Sequence, residues 1–247
     1  MNTTLKIISL LLTYPSKELQ SEANELASAI RDDQGLKPDQ KKYLEDLIND
    51  IAGLDIYEAQ ERYVHLFDRT RTVSLHLFEH VHGESRDRGQ AMVDLMSMYE
   101  DNGFEVDAKE LPDYLPLFLE FVSTRSDVEI EDLLGQTSHI YAVLSERLKK
   151  RKSIYAGIFD ILQDVTTQKP NAKLVAEILS NPEDDPDDLD AMDQIWEEEA
   201  VTFGGNAGEE SCGPDRMRTQ MRASKRKPAD LQPTDSQSVR SHPMQEV

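Results

Sequence analysis

The sequence predicts an all-α protein whose folded part is a single helical bundle. Apolar residues recur at spacings of three and four through about the first 180 residues, which is the period of an amphipathic helix. No stretch alternates apolar and polar residues over a useful length, and the turn signals that join paired strands are missing. The connections between the helical stretches are short, as expected for neighbouring helices in a bundle.

The first three predicted helices are delimited by proline, serine and glycine. An apolar run over residues 4–13 predicts a short helix that ends before Pro15. Ser16 is placed to cap the next helix, which we expect to reach about Arg31. The third helix is predicted over residues 38–53, because proline is favoured in a first turn and glycine just after a last one.

Two further helices lead into the middle of the chain. Asp55, followed three residues later by Glu58, resembles a capping box. Tyr63 and Phe67 lie four residues apart in that helix and should share one face. The next helix is predicted to end at Gly103, which can adopt the left-handed conformation of a helix stop. Its apolar stripe comprises Met92, Leu95, Met96 and Tyr99.

The remaining helices follow the same periodicity. Ser126 and Glu129 form a second capping-box pattern, leading into a long helical region towards Lys152. A short final helix is predicted over residues 174–179. Apolar stripes mark the helices on either side of the long one: Leu115, Phe118, Leu119 and Val122, then Tyr155, Ile158, Phe159 and Leu162.

Charge and composition narrow the classes of partner. The net charge is −21, of which residues from 183 onward contribute −9 and residues 1–182 contribute −12. Such a surface repels nucleic acid and anionic lipid and attracts basic partners. The single cysteine, Cys212, excludes a disulfide within the chain and fits a reducing compartment. No apolar run could cross a bilayer and charged residues break the signal-peptide pattern, so we predict a cytoplasmic protein.

The chain changes character after Pro182. Residues 183–199 carry ten acidic side chains and no basic one, and polar and basic stretches follow. Such a composition buries too little apolar surface to offset the entropy of ordering, so we predict a helical domain over residues 1–182 and a disordered tail over 183–247. An apolar segment at residues 189–203 interrupts the tail. It is either a transient helix or a segment that docks on the body or on a partner.

Residues 76–121 contain the candidate functional residues. His76 and His80 at i,i+4 would share a helix face, and with His82 they suggest a metal site. The zincin signature requires glutamate directly after its first histidine, and here that residue is Leu77. A helical metal-dependent hydrolase using these histidines is the alternative hypothesis. Because no nucleophile, base and oxyanion site can be assembled from the sequence, we predict that the chain is not an enzyme.

A partner-binding groove is the favoured hypothesis for this region. Methionine and aromatic residues at helical spacing usually indicate a buried helix face. Methionine also lines surfaces that bind partner helices. Acidic residues around such a groove favour a helix that is apolar on one side and basic on the other. Leu115 and Phe118 are the predicted apolar groove residues. An unspecific acidic adaptor for basic peptides is a further alternative.

Three stretches carry a resemblance to a known family: ERYVHLFDRTRTVSLHLFEHVHGESRDRGQAMVDLMSMY (residues 61–99), ELPDYLPLFLEF (110–121) and WEEEAVTFGG (196–205). They closely resemble the NarJ-type chaperones of respiratory nitrate reductase, the delta subunits, which belong to the TorD-like redox-enzyme maturation chaperones. The resemblance covers most of residues 1–205. The loop EHVHGESRDRG departs from the proline- and serine-containing loop of many TorD-like proteins, so their pocket details are not carried over.

The resemblance implies a system-specific chaperone. It would act in unfolded-protein binding, on the apo catalytic (alpha) subunit of nitrate reductase. The part of that subunit that it binds would be the subunit's own N-terminal segment, which is basic and amphipathic and resembles a leader. It would support insertion of bis-molybdopterin guanine dinucleotide before membrane attachment, in nitrate respiration or assimilation, without holding the cofactor stably. Molybdenum-cofactor biosynthesis proteins are further implied partners.

Carried onto this chain, the resemblance implies a partner-binding set drawn from two motifs. The first motif contributes Glu79, His80, Val81, His82, Gly83, Arg86, Arg88, Gly89 and Gln90, and the second contributes Glu110, Leu111, Pro112, Asp113, Leu115 and Pro116. We expect Arg86 or Arg88 to pair with acidic residues of the second motif and so hold the two loops together. Pro112 and Pro116 should start and stiffen the helix that bears Leu115. Each of these residues has a purely structural role as its alternative.

Overall fold

A computed structural model describes residues 2–81, 86–106, 110–181 and 183, with the side chain of Arg86 excepted. All of these belong to one compact unit, Met1–Glu199. The predicted all-α class is confirmed, since the described residues form ten α-helices and their single β-type pairing is an isolated antiparallel bridge between His76 and Tyr114. Apart from Glu183, the tail predicted over residues 183–247 lies outside the described residues, and so does its apolar segment.

The helices follow the predicted order. They are α1 Thr3–Leu11, α2 Lys17–Ser21, α3 Ala23–Asp32, α4 Pro38–Gly53, α5 Ile56–Phe67, α6 Arg86–Asp101, α7 Leu115–Ser123, α8 Asp127–Lys150, α9 Ala156–Val165 and α10 Ala172–Ser180, with short 3-10 helices at Arg71–Val73 and Leu77–Glu79. Among the described residues, no helix combines the length and apolar character needed to span a bilayer.

Helix ends show how local sequence sets these bounds. The Ser16 hydroxyl accepts a hydrogen bond from the Leu19 N–H at 3.1 Å, and Ser126 with Glu129 forms the predicted capping box of α8. Gly103 (φ 68°) ends α6, with Phe104 N–H donating to the Tyr99 carbonyl in a Schellman arrangement. The predicted second helix is instead divided into α2 and α3, because the backbone leaves helical geometry at Glu22 (φ −91°, ψ 2°).

The core lies between four packed pairs of helices. The long helix α8 packs against α9 and α10, α1 packs against α7, and α3 packs against α4. Each large apolar side chain buried there contributes roughly 1.5–3 kcal/mol. The bulkiest fully buried side chains are Tyr99, Tyr141, Tyr155, Phe121 and Phe159.

A buried arginine attaches the segment that carries the first motif to α8. Arg147 is 3% exposed, and its guanidinium donates to the Thr72 carbonyl at 2.6 Å and to the Ile178 carbonyl at 2.9 Å. Charge-assisted bonds of this kind are stronger than neutral ones. Arg147 therefore holds the 3-10 helix Arg71–Val73 and the end of α10 on one face of α8.

Candidate functional site

The two motifs meet although they are far apart in the sequence. Leu77 N–H donates to the Asp113 carbonyl at 3.0 Å, and Leu115 N–H donates to the Leu75 carbonyl at 2.8 Å. These bonds enclose the bridge between His76 and Tyr114. The loop before α7 is thus paired edge to edge with the segment that enters the first motif.

Asp113 is the centre of this junction. Its side chain is fully buried, and its Oδ2 accepts a hydrogen bond from the Phe78 N–H at 3.1 Å. Its Oδ1 lies 3.1 Å from His76 Nδ1. A buried carboxylate is tolerated only when its oxygens are partnered in this way. Asp113 therefore caps the 3-10 helix Leu77–Glu79 from across the junction.

The environment of His76 shifts its proton affinity upward. Burial by itself lowers the pKa of the imidazole, but the hydrogen bond and the negative charge of Asp113 outweigh burial and raise the pKa above its ordinary value. His76 is 29% exposed, so one edge of its ring still reaches solvent. The protonated form of His76 is therefore stabilised in the folded chain.

His80 has the opposite tendency. Its Nε2 lies 2.8 Å from the Ser74 carbonyl, and because a carbonyl can only accept, Nε2 carries the proton. Burial is the main cause that lowers the pKa of His80; the positive charge of Arg147 acts in the same direction, and the bond to Ser74 opposes both. Folding therefore favours the neutral form of His80 and the charged form of His76.

We expect this difference to appear in the pH dependence of stability. Between the lowered pKa of the folded chain and the ordinary histidine pKa of 6.5, the unfolded chain binds more protons at His80 than the folded chain does. The free energy of unfolding therefore falls on acidification, by at most about 1.4 kcal/mol per pH unit from this residue. The variant His80→Gln retains an N–H donor for Ser74, and it should lose less stability than the wild type as pH falls.

Urea unfolding at a series of pH values below about 7 measures this effect. The difference in unfolding free energy between wild type and variant gives the contribution of His80, because the opposite contribution of His76 is present in both proteins. Parallel stability curves would contradict the assignment.

A cleft of about 570 Å³ opens beside the junction. Its apolar wall is formed by Tyr63, Val64, Phe67, Leu75 and Tyr114, and its polar lining by Asp68, Arg69, Thr70, Arg71, Ser74, His76, Glu79 and Glu110. Polar and charged residues form most of its lining, so the cleft is suited to a ligand or peptide that carries charge as well as apolar groups.

The aromatic wall is held by hydroxyl bonds. The Tyr63 hydroxyl lies 2.9 Å from the Leu12 carbonyl, to which it donates, so in its 2.9 Å contact with Tyr114 the Tyr114 hydroxyl is the donor. The Tyr63 ring also packs on Phe67 with centroids 5.1 Å apart, which agrees with the predicted shared face of α5. These contacts fix the positions of Tyr63 and Tyr114 in the wall of the cleft.

The predicted partner-binding residues divide by burial. Glu79 and Glu110 line the cleft. The exposed members are Val81, Gly89, Gln90 and Leu111, and the buried members are Pro112, Asp113, Leu115, Pro116 and Phe118. His82, Gly83 and the side chain of Arg86 lie outside the described residues.

One expectation is corrected here. Leu115 and Phe118 are 0% and 4% exposed, so they belong to the core rather than to a groove, because their positions on α7 face inward. Of the two arginines expected to pair with acids of the second motif, Arg88 instead contacts Glu79 of its own motif, with Nη2 and Oε1 3.5 Å apart. The side chain of Arg86 lies outside the described residues, so the expectation for Arg86 stays a prediction. The link between the motifs that we describe is made by Asp113 instead.

The metal hypothesis meets a different geometry. His76 and His80 flank a 3-10 helix, so they lack the shared α-helical face that i,i+4 spacing assumes. One ring nitrogen of each is already in contact with another group, His76 Nδ1 with Asp113 and His80 Nε2 with the Ser74 carbonyl. Within the described ranges, no three histidine, cysteine or acidic side chains are grouped to hold a metal ion.

Several cleft residues were not predicted as site residues. Tyr63 and Phe67 were assigned only a shared helix face, and Tyr114 lies inside the second motif without having been selected. Asp68 and Arg69 follow directly after α5. Charged residues next to the aromatic face of that helix could have suggested the edge of a binding cleft. Their proximity to His76 depends on the fold and has no local signal.

Comparison with known proteins identifies the family. Residues 16–160 match the family described as "Nitrate reductase delta subunit". The chain belongs to this family. The resemblance to this family inferred from the sequence is thereby confirmed, and the matched residues include two of the three stretches that carried it.

Curated relatives of this delta-subunit-family chain cover most of its length. It is 42% identical over 209 residues to "Nitrate reductase molybdenum cofactor assembly chaperone NarJ" of Escherichia coli (strain K12), which covers 85% of this chain and 87% of the relative. It is 39% identical over 199 residues to the "probable" chaperone NarW of the same strain, covering 81% and 83%. A probable NarJ of Bacillus subtilis (strain 168) is 31% identical over 167 residues, covering 66% and 90%. These names describe assembly chaperones rather than catalysts, in agreement with the prediction that this chain is not an enzyme.

Proposed function

We propose that the chain is a system-specific assembly chaperone for a respiratory nitrate reductase. It binds the basic, amphipathic N-terminal segment of the apo catalytic subunit and keeps that subunit competent for insertion of bis-molybdopterin guanine dinucleotide. Membrane attachment follows only after loading. The support is membership of the delta-subunit family and relatives named as molybdenum cofactor assembly chaperones.

The cleft beside the motif junction is the observation that carries this proposal. Its aromatic and aliphatic wall can take the apolar side of a helical segment, and Asp68, Glu79 and Glu110 at its rim can take basic side chains. Arg69 and Arg71 also line it, so the cleft combines both signs of charge. This favours a segment of defined register over any basic chain, which distinguishes the proposal from an unspecific acidic adaptor.

Long-range charge assists capture. Residues 1–182 carry a net charge of −12, which attracts a basic segment from a distance and speeds encounter. The attraction is screened by salt, so affinity should weaken as ionic strength rises. In this proposal the chain acts in the cytoplasm, where molybdenum-cofactor biosynthesis proteins deliver the cofactor to the client.

Calorimetry with a peptide of the client's N-terminal sequence tests the proposal. We expect the full chain to bind this peptide, and a scrambled peptide of equal charge to bind more weakly. Replacing two rim acids, in the variant Asp68→Asn/Glu110→Gln, should weaken binding about three- to tenfold. A matched control, Glu25→Gln/Asp46→Asn, removes the same net charge from α3 and α4 and should change affinity little.

Two results would count against the proposal. One is no binding of the peptide at low salt. The other is equal affinity for the scrambled sequence, which would indicate the unspecific adaptor instead.

A further inference from the structure

Helix α6 is attached to the body mainly at its C-terminal end. Tyr99 is buried, its hydroxyl donates to the Pro112 carbonyl at 2.8 Å, and its ring contacts Phe121 with centroids 4.8 Å apart. None of the described side chains of α6 before Tyr99 is buried, and Val93 is 47% exposed. The N-terminal part of α6 thus rests on the surface of the body.

An ion pair joins this N-terminal part to the cleft. Arg88 of α6 lies 3.5 Å from Glu79, with the two side chains 25% and 21% exposed. Charge-assisted hydrogen bonds are usually about 2.7–2.9 Å long, so this contact is loose. Glu79 also lines the cleft. The same carboxylate is therefore available both to α6 and to whatever occupies the cleft.

Two features of α6 favour movement of its first turns. Gly89 is exposed with open space where a side chain would be, and glycine lowers the stability of a helix interior relative to alanine. Met92 is half-buried and offers a flexible apolar group, whereas Leu95 and Met96 pack against the core nearer the attached end of the helix. Exposed acids, Asp87 and Asp94, lie on the same helix and favour a basic neighbour.

We infer that Glu79 and Arg88 form a latch that the client opens. A basic side chain of the bound segment replaces Arg88 on Glu79, the first turns of α6 separate from the body, and Met92 then contacts the apolar side of that segment. This inference rests on the proposed function, because it concerns the same basic, amphipathic client segment. It makes α6 a second docking surface that becomes available only when the cleft is occupied.

Hydrogen exchange and calorimetry on the full chain, with the client's N-terminal peptide as probe, test the latch. Peptide should speed amide exchange in the first turns of α6 while the turn around Tyr99 stays protected. The variant Arg88→Gln removes the competitor for Glu79 and should bind the peptide about two- to fivefold more tightly. In the Glu79→Gln background, Arg88→Gln should bring no gain.

A matched control is Arg31→Gln, which breaks the Arg31–Glu45 pair (3.1 Å) on α3 and α4 and should leave affinity unchanged. If the peptide binds but Arg88→Gln brings no gain and α6 exchange does not change, the latch is wrong and the chaperone function stands. If wild type and variants all fail to bind, the proposed function fails and the latch with it.

Discussion

Replacing Asp113 with alanine is expected to lower the free energy of unfolding by about 2–4 kcal/mol. The change removes the fully buried carboxylate that accepts from the Phe78 N–H and is the partner of His76. An unpaired buried N–H costs about 1–3 kcal/mol, and the lost charge-assisted bond adds to this. Urea unfolding monitored by circular dichroism measures the loss.

The variant Asp113→Asn separates shape from charge. Asparagine keeps one oxygen for the Phe78 N–H, so it should destabilise less than alanine. The pKa of His76 should fall in both variants, because the charge that raises it is gone. The exposed acid Asp46 supplies the control, since Asp46→Asn should cost no more than about 1 kcal/mol. If Asp113→Ala lowered the free energy of unfolding by no more than Asp46→Asn does, the junction would not depend on the Asp113 carboxylate.

The variant Phe118→Asp is expected to abolish folding rather than to give a folded chain that fails to bind. Phe118 is 4% exposed in the core, and truncating a buried phenylalanine to alanine alone costs about 3–5 kcal/mol. An unpaired carboxylate at the same position costs more. Loss of helical circular dichroism and of a cooperative unfolding transition would be the readout.

Val93→Asp is the informative comparison for Phe118→Asp. Val93 is 47% exposed on α6, so the variant should fold with a stability within about 1 kcal/mol of the wild type. A folded, stable Phe118→Asp variant would restore Leu115 and Phe118 as candidates for a groove.

The fold was largely predictable because helix signals are local. Ser16, Pro38, Gly103 and Ser126 act through their own neighbours in the chain, and each delimits a helix where expected. The division between α2 and α3 at Glu22 was missed, since no proline or glycine marks it.

The site was predictable only in part because it depends on contacts between distant residues. The helical spacing predicts that Leu115 and Phe118 lie on one apolar face of their helix. It does not predict whether that face packs in the core or binds a partner. The pairing of His76 with Asp113 joins two motifs that no spacing rule connects. The cleft likewise forms where the end of α5 meets both motifs, so its lining emerges only from the folded chain.

The most direct measurement of the central claim is the molybdenum content of the nitrate reductase catalytic subunit in cells that lack this chain. We expect the subunit to be present but poor in molybdenum, and full-length wild-type chain to restore the metal. A variant that stays folded but has lost cleft charges, Asp68→Asn/Glu110→Gln, should restore it less well. A catalytic subunit that carries its full complement of molybdenum without this chain would contradict the account.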